Sequence, residues 1–232
     1  MDNQYTNNVH NVSPPLWGGR EGLLIKVCGL REPENIKQIV QLQPDLVGFI
    51  FYPNSPRFAK NLDVNVLSQI PKNIKKIGVF VNEELENILT YVHKYDLDGV
   101  QLHGSENHSL CKNIKEEAGI LVIKAFSVMS VDNFRVTKDY QNVCDYFLFD
   151  TKTDVYGGSG QKFNWNILSS YQGEKEFFLS GGISLEDVKP ILKINHPKMA
   201  GIDVNSKFEI KPGLKDVEKL RTFINEIRPV TP

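Results

Sequence analysis

Residues 23–30 read LLIKVCGL and residues 146–152 read YFLFDTK. Each is a short apolar run that ends on a chemically loaded residue, Cys28 or Asp150, and then passes into a loop. Runs of the same kind recur at 23–28, 45–52, 74–81, 98–103, 120–127, 145–150, 176–181 and 200–205. They alternate with helical patterns that carry start signals: Pro33-Glu34 before NIKQIVQL, Asn82-Glu83-Glu84 before LENILTYVHKY, Ser105-Glu106 before the 106–118 segment, and Ser184-Leu185-Glu186 before DVKPILKI. The segment 131–141 carries the weakest helical pattern, and Pro190 inside the seventh predicts a helix that starts late or bends. Near-continuous apolar strands separated by helices imply a parallel sheet covered on its outside, and eight such units favour closure into a barrel. The predicted fold is therefore α/β, a single-domain (β/α)8 TIM barrel whose site is built from residues at the strand ends. A doubly wound open sheet is the competing architecture; it seldom needs eight evenly spaced units, and the first loop, CGLREPEN, lacks the GxGxxG of a dinucleotide fold.

Composition sets the outer bounds. A chain of 232 residues, 41% apolar and 24% charged, suits one compact domain of roughly 200 to 250 residues. Residues 1–20 are rich in Asn, Pro and Gly without periodicity and read as a flexible N-terminal tail; residues 21–232 read as the barrel. Twenty-seven basic and 28 acidic residues leave a net charge of −1, so nothing draws the chain to nucleic acid or an anionic membrane, and any bound anion is met locally. Three cysteines, Cys28, Cys111 and Cys144, lack metal-ligand spacing, and an odd number argues against a disulfide framework. No run approaches the roughly 18 to 20 apolar residues of a membrane helix, and the N-terminus lacks the order of a signal peptide. The expectation is a soluble cytoplasmic protein, monomer or homodimer, with no metal.

Three polar, glycine-bearing loops fall late in the chain: Tyr156-Gly157-Gly158-Ser159-Gly160, Ser180-Gly181-Gly182, and Asp203-Val204-Asn205-Ser206. Barrels often hold phosphate at the loops after strands seven and eight, where glycines let backbone N–H groups approach the anion. Gly157, Gly158, Gly181, Gly182, Asn205 and Ser206 are the candidate phosphate contacts. The plainer reading of GGSG is a loop hinge, which is compatible with a loop that closes over substrate.

The motifs KVCGL (26–30), GFIFYPNSPR (48–57), VQLHG (100–104), FDTKTDVYGGSGQKFNW (149–165), SGG (180–182) and GIDVNSKFEIKPGLKD (201–216) occur in order, each at a strand end, and together resemble the phosphoribosylanthranilate isomerase family. The resemblance implies a β/α barrel without a cofactor. It also implies an Amadori rearrangement of N-(5-phosphoribosyl)anthranilate to 1-(2-carboxyphenylamino)-1-deoxyribulose 5-phosphate, a step of tryptophan biosynthesis. That chemistry needs a proton on the ribosyl ring oxygen to open the ring, then removal of the proton at sugar C2 from the Schiff base. By resemblance Asp150 is the general acid, Cys28 the general base, and Arg57 the holder of the anthranilate carboxyl group through its fork of donors. An aspartic acid donates near neutral pH only if its surroundings raise its pKa from about 3.9, and a thiol near 8.5 is a good base only when lowered. Lys26 and Lys152 each stand two residues from one of these groups, and strand alternation puts Lys26 on the face of Cys28, placed to stabilise a thiolate.

Each residue also has a plainer reading. A lone strand-end cysteine is usually a small buried filler, as Cys111 and Cys144 are taken to be, and a strand-end aspartate is more often a turn former. His103 reads equally as a substrate neighbour or as a structural histidine, and Asp203 as a partner for a sugar hydroxyl. The family's usual DVSSGVE differs here, with Asn205 in place of Ser and Lys207-Phe208 in place of Gly-Val before Glu209; Lys207 costs a glycine where positive φ is plausible. Competing functions are another phosphosugar barrel, disfavoured by Cys28 at the strand-one position, and a non-catalytic metabolite-binding barrel, which would leave the acid and base idle.

Overall fold

The computed structural model describes residues 22–151 and 164–228; the predicted tail and the stretch containing Lys152, Gly157 and Gly158 lie outside them. Eight parallel strands close into a barrel in chain order: β1 Leu24–Cys28, β2 Leu46–Ile50, β3 Lys75–Phe80, β4 Gly99–Leu102, β5 Leu121–Val128, β6 Tyr146–Thr151, β7 Phe177–Leu179 and β8 Met199–Val204. Strand β8 returns to β1 with Leu24 opposite Gly201 and Lys26 opposite Asp203, so no sheet edge is left open. The open-sheet alternative is thereby excluded.

Alternation along the strands separates two cores. Leu24, Leu46, Ile77, Ile123, Leu148 and Phe178 point inward and fill the lower barrel. Val27, Val47, Phe49, Val100, Phe147, Phe149 and Ile202 point outward and pack with helix residues such as Ile36, Ile88, Ile114 and Phe223. Each fully buried Phe of the outer shell is worth about 1.5–3 kcal/mol in transfer free energy, which is why both strand faces are apolar.

The covering layer is α1 Pro33–Val40, α2 Val64–Ser68, α3 Leu85–Tyr95, α4 His108–Ala118, α5 Val188–Leu192 and α6 Val217–Ile227, with 3-10 turns at Val131–Tyr140 and Trp165–Ser170. The weak 131–141 pattern thus forms only 3-10 turns. Pro190 lies in the first turn of α5, which follows a 3-10 turn at Leu185–Asp187, so this helix does start late. Helix α4 begins two residues after the predicted Glu106, with Asn107 as its N-cap. Glu106 is engaged elsewhere: its carboxylate accepts from the Asn82 and Gly104 N–H groups and pairs with buried Lys124. A short antiparallel hairpin, β9 Glu209–Lys211 and β10 Leu214–Lys215, precedes α6. No described helix is long and apolar enough to cross a membrane.

An aspartate repeat fixes strand register at the bottom of the barrel. Asp45, Asp98 and Asp145 each stand just before an even-numbered strand, and each accepts the N–H of a residue in the preceding strand, Ile25, Lys76 and Val122. Arg228 at the end of α6 ties Asp45 and the Leu23 carbonyl together, locking the last helix to the first strand. These groups lie opposite the strand C-termini and belong to stability.

Candidate active site

At the C-terminal end of the barrel a pocket is lined by Cys28 of β1, Ile50 of β2 with Tyr52 and Ser55 beyond it, Val79 and Val81 at β3, Gln101 and His103 at β4, Asp150 of β6, Ser180 to Ile183 after β7, and Asp203, Asn205 and Ser206 at β8. One side is apolar, through Ile50, Val79, Val81 and Ile183; the other carries the polar strand ends. Gly181 and Gly182 both have positive φ, 96° and 64°, which turns the backbone sharply at the rim where a side chain would be strained.

Cys28 is buried, and strand alternation sets Lys26 beside it. The Lys26 ammonium is fully buried and bonded to Asp203 Oδ1 at 2.8 Å, while Ser180 donates to the other Asp203 oxygen at 3.3 Å. Burial pulls the lysine down, but Asp203 and Cys28 outweigh it and hold its pKa raised. For the thiol the balance differs from the expectation that Lys26 would simply favour a thiolate. Burial pushes Cys28 up, Lys26 pulls it down, and Asp203 pushes it up again, leaving it above the ordinary thiol value. The charge of Lys26 is largely spent on Asp203, so its effect on the neighbouring sulfur is blunted.

Gly48 of β2 makes room for this cluster. A Cβ at Gly48 would stand 2.8 Å from Cys28 Sγ and 3.2 Å from both Cys28 Cα and Lys26 Nζ. Gly48→Ala is expected to displace the thiol, lowering kcat about 100-fold and stability by about 1–3 kcal/mol. Steady-state kinetics beside a thermal melt reads both; a wild-type kcat would mean that the thiol position is not critical.

Asp150 faces the pocket from β6, its Oδ2 3.2 Å from His103 Nε2. On the other side of the imidazole, Nδ1 lies 2.7 Å from the Gln101 amide nitrogen. The structure therefore brings together Cys28, Asp150, His103, Asp203, Gly181, Gly182, Asn205 and Ser206 on one rim. Arg57 is placed beside it, not in the lining. It is 5% exposed and gives Glu209 a bidentate ion pair through Nε at 2.9 Å and Nη2 at 2.7 Å. Its Cδ and the Asn205 Oδ1 both crowd over Gly29, where a Cβ would meet each at 2.8 Å. Asn205 Oδ1 accepts from Lys215 Nζ at 2.7 Å, and Lys215 also bonds Glu209 at 2.8 Å. Burial pulls Lys215 down to about 8 against the pull of Glu209. The departure at Asn205 is thus matched by a buried cation. Lys207 sits in a 3-10 turn, Ser206–Phe208, and is not among the positive-φ residues, so the lost glycine costs nothing there.

Sequence reading did not single out Gln101, Ser180 or Lys215. For the first two the signal was present: Gln101 precedes His103 by two on one strand, and Ser180 follows Phe178 by two, so each shares a face with an inward residue. Lys215 lies in an irregular hairpin and had no such signal.

Comparison with known proteins decides the family. The model of the N-(5'-phosphoribosyl)anthranilate (PRA) isomerase family matches residues 25–226. The chain belongs to the N-(5'-phosphoribosyl)anthranilate isomerase family. Family members from Phocaeicola vulgatus and Parabacteroides distasonis are 46% and 44% identical, over 89% and 88% of this chain and 98% and 93% of those proteins. The crystal structure of phosphoribosylanthranilate isomerase from Thermotoga maritima is 34% identical, covers 90% of this chain and all of that one, and superposes with a TM-score of 0.76. Another crystal structure of a phosphoribosylanthranilate isomerase holds reduced 1-(o-carboxyphenylamino)-1-deoxyribulose 5-phosphate; it is 31% identical with a TM-score of 0.77 over the same shares. The barrel, the enzyme class and the resemblance seen in the motifs all agree with this family.

Proposed function

We propose that this pocket rearranges N-(5-phosphoribosyl)anthranilate to 1-(2-carboxyphenylamino)-1-deoxyribulose 5-phosphate, with Asp150 as general acid and Cys28 as general base. The observation that carries the reading is that β6 and β1 deliver this carboxyl and this thiol to one pocket, although 122 residues of sequence separate them. Asp150 gives its proton to the ring oxygen as the C1–O bond breaks, and the anthranilate nitrogen pushes its electron pair into a C1–N double bond. The Cys28 thiolate then takes the proton from C2, and the electrons flow back to nitrogen, leaving an enol-amine that tautomerises to the ketone. No electron leaves or enters the substrate overall, so acid and base suffice.

Asp203 accepts from the substrate hydroxyls, held in place by Lys26 and Ser180. Gly181 and Gly182 with Asn205 and Ser206 take the phosphate. The aromatic ring lies against Ile50, Val79 and Val81, and Arg57 takes the anthranilate carboxyl, its guanidinium plane set by Glu209. Gly157 and Gly158, outside the described residues, remain proposed phosphate contacts on the sequence alone.

The test is turnover of enzymatically generated phosphoribosylanthranilate, followed as loss of its anthranilate-type fluorescence. Turnover by the wild type supports the reading; a folded protein that leaves the substrate untouched overturns it and favours the binding-barrel alternative. The open-chain product belongs in the same pocket, so its reduced form serves as a stable probe of binding without chemistry.

A further inference from the structure

We propose that Gln101 is a positioning residue for the acid: its amide holds His103 in the Nε2–H tautomer and so decides which oxygen of Asp150 carries the reacting proton. The inference rests on the reading of Asp150 as the acid. Gln101 is 1% exposed at the inner wall of the pocket, and its amide nitrogen stands 2.7 Å from His103 Nδ1. With the amide NH2 turned to the ring, Nδ1 accepts, and a neutral imidazole then has its proton on Nε2. That nitrogen is 3.2 Å from Asp150 Oδ2.

The consequence follows from the geometry of a carboxylic acid. With Oδ2 accepting from His103, the acid proton resides on Oδ1, the oxygen turned away from the imidazole. After Asp150 has protonated the ring oxygen, the same Nε2–H remains bonded to the carboxylate, so the array does not rearrange during the step. In the other tautomer Nε2 offers a lone pair, which draws the acid proton onto Oδ2 and away from substrate. Among the described residues, the array of Gln101, His103 and Asp150 shares its pocket with Cys28 from β1 and Asp203 from β8.

A second observation concerns the other end of the Gln101 amide. Its amide oxygen is buried without a hydrogen-bond partner among the described residues. Such an orphan costs about 1–3 kcal/mol, which an apolar residue of the same length would avoid. The amide is retained for the end that faces His103.

Two variants test this. Gln101→Met removes the donor while keeping the length, and Gln101→Glu replaces it with a carboxylate that accepts from Nδ1–H and so enforces the opposite tautomer. The expected results are a loss in kcat of about 10-fold for Met and about 100-fold for Glu, with KM nearly constant. Nitrogen-15 NMR of His103 in the free enzyme gives a readout that packing alone would not move: protonated Nε2 in the wild type, protonated Nδ1 in Gln101→Glu. The Met variant keeps the test decisive if the Glu variant fails to fold. Full kcat in Gln101→Met, or an Nδ1–H tautomer in the wild type, overturns the proposal. If Asp150→Asn turns over like the wild type, the acid assignment falls and this inference with it. If Asp150→Asn is inactive while Gln101→Met is unimpaired, only the role of Gln101 falls.

Discussion

Cys28→Ala is expected to lower kcat by about 10²- to 10⁴-fold, the contribution of a positioned general base, while binding of the reduced product stays within about twofold. Removing a small buried thiol leaves a cavity of little more than one atom, costing on the order of 1 kcal/mol, so the protein remains folded. Cys28→Ser separates the two readings of the residue further. It preserves volume but replaces the thiol by a hydroxyl that does not ionise in the working range, and it is expected to be as inactive as alanine. If Cys28 were only a filler, both variants would turn over normally. The pH profile gives an independent check. Burial, countered by Lys26 and reinforced by Asp203, holds the thiol above its ordinary value. With Cys28 as the base the active form is the thiolate, so kcat/KM is expected to rise with pH, with an ascending limb in the free enzyme above the ordinary thiol range. The sign for stability is the opposite. A thiol whose folded pKa is raised stabilises the protein below its unfolded pKa, and that contribution is lost as pH rises through the folded value. A limb that stays in place in Cys28→Ser would assign it to another group.

Asp150→Asn is expected to reduce kcat by about 10²- to 10⁴-fold as well, because an amide cannot protonate the ring oxygen as its bond to C1 breaks. The substitution keeps an oxygen for His103 Nε2–H to bond at the position of Oδ2. Loss of activity would therefore report the missing proton and not a displaced histidine. Binding of the reduced product, which is already open-chain, is expected to be unchanged within about twofold; weakened binding with kcat intact would recast Asp150 as a substrate contact. Residual activity within about tenfold of wild type would move the acid elsewhere on the rim, where His103 stands 3.2 Å from Asp150. On the proposed roles the two variants are also expected to differ in what they stop: Asp150→Asn ring opening, and Cys28→Ala proton abstraction from the opened Schiff base.

The strands were legible because their cause is local. Both faces of a parallel barrel strand are buried, so each appears as an unbroken apolar run, and all eight predicted runs became strands within a residue or two at most ends. Helix α3 begins where its Asn82-Glu83-Glu84 signal placed it, whereas α4 does not, since Glu106 found stronger partners in Lys124 and two backbone N–H groups. Gly104 is a neighbour in sequence, but Asn82 and Lys124 stand 24 and 18 positions away. A start signal read within one turn cannot register them.

The sequence by itself determined the kind of protein: eight strand–helix units, loaded residues at strand ends, and an ordered set of motifs specific enough to indicate the family. Those properties depend on residue type, alternation and spacing, which are written in one dimension. Only the tertiary structure decided the electrostatics of the site. Lys26 reads along β1 as a cation beside Cys28, but closure of the barrel brings Asp203, 177 residues away, to 2.8 Å and claims its charge. Arg57 reads as an open fork, yet the fold delivers Glu209, 152 residues on, to engage it. Pairing of buried charges is set by which strands become neighbours when the sheet closes, and in a low-dielectric interior that pairing governs how each group holds its proton.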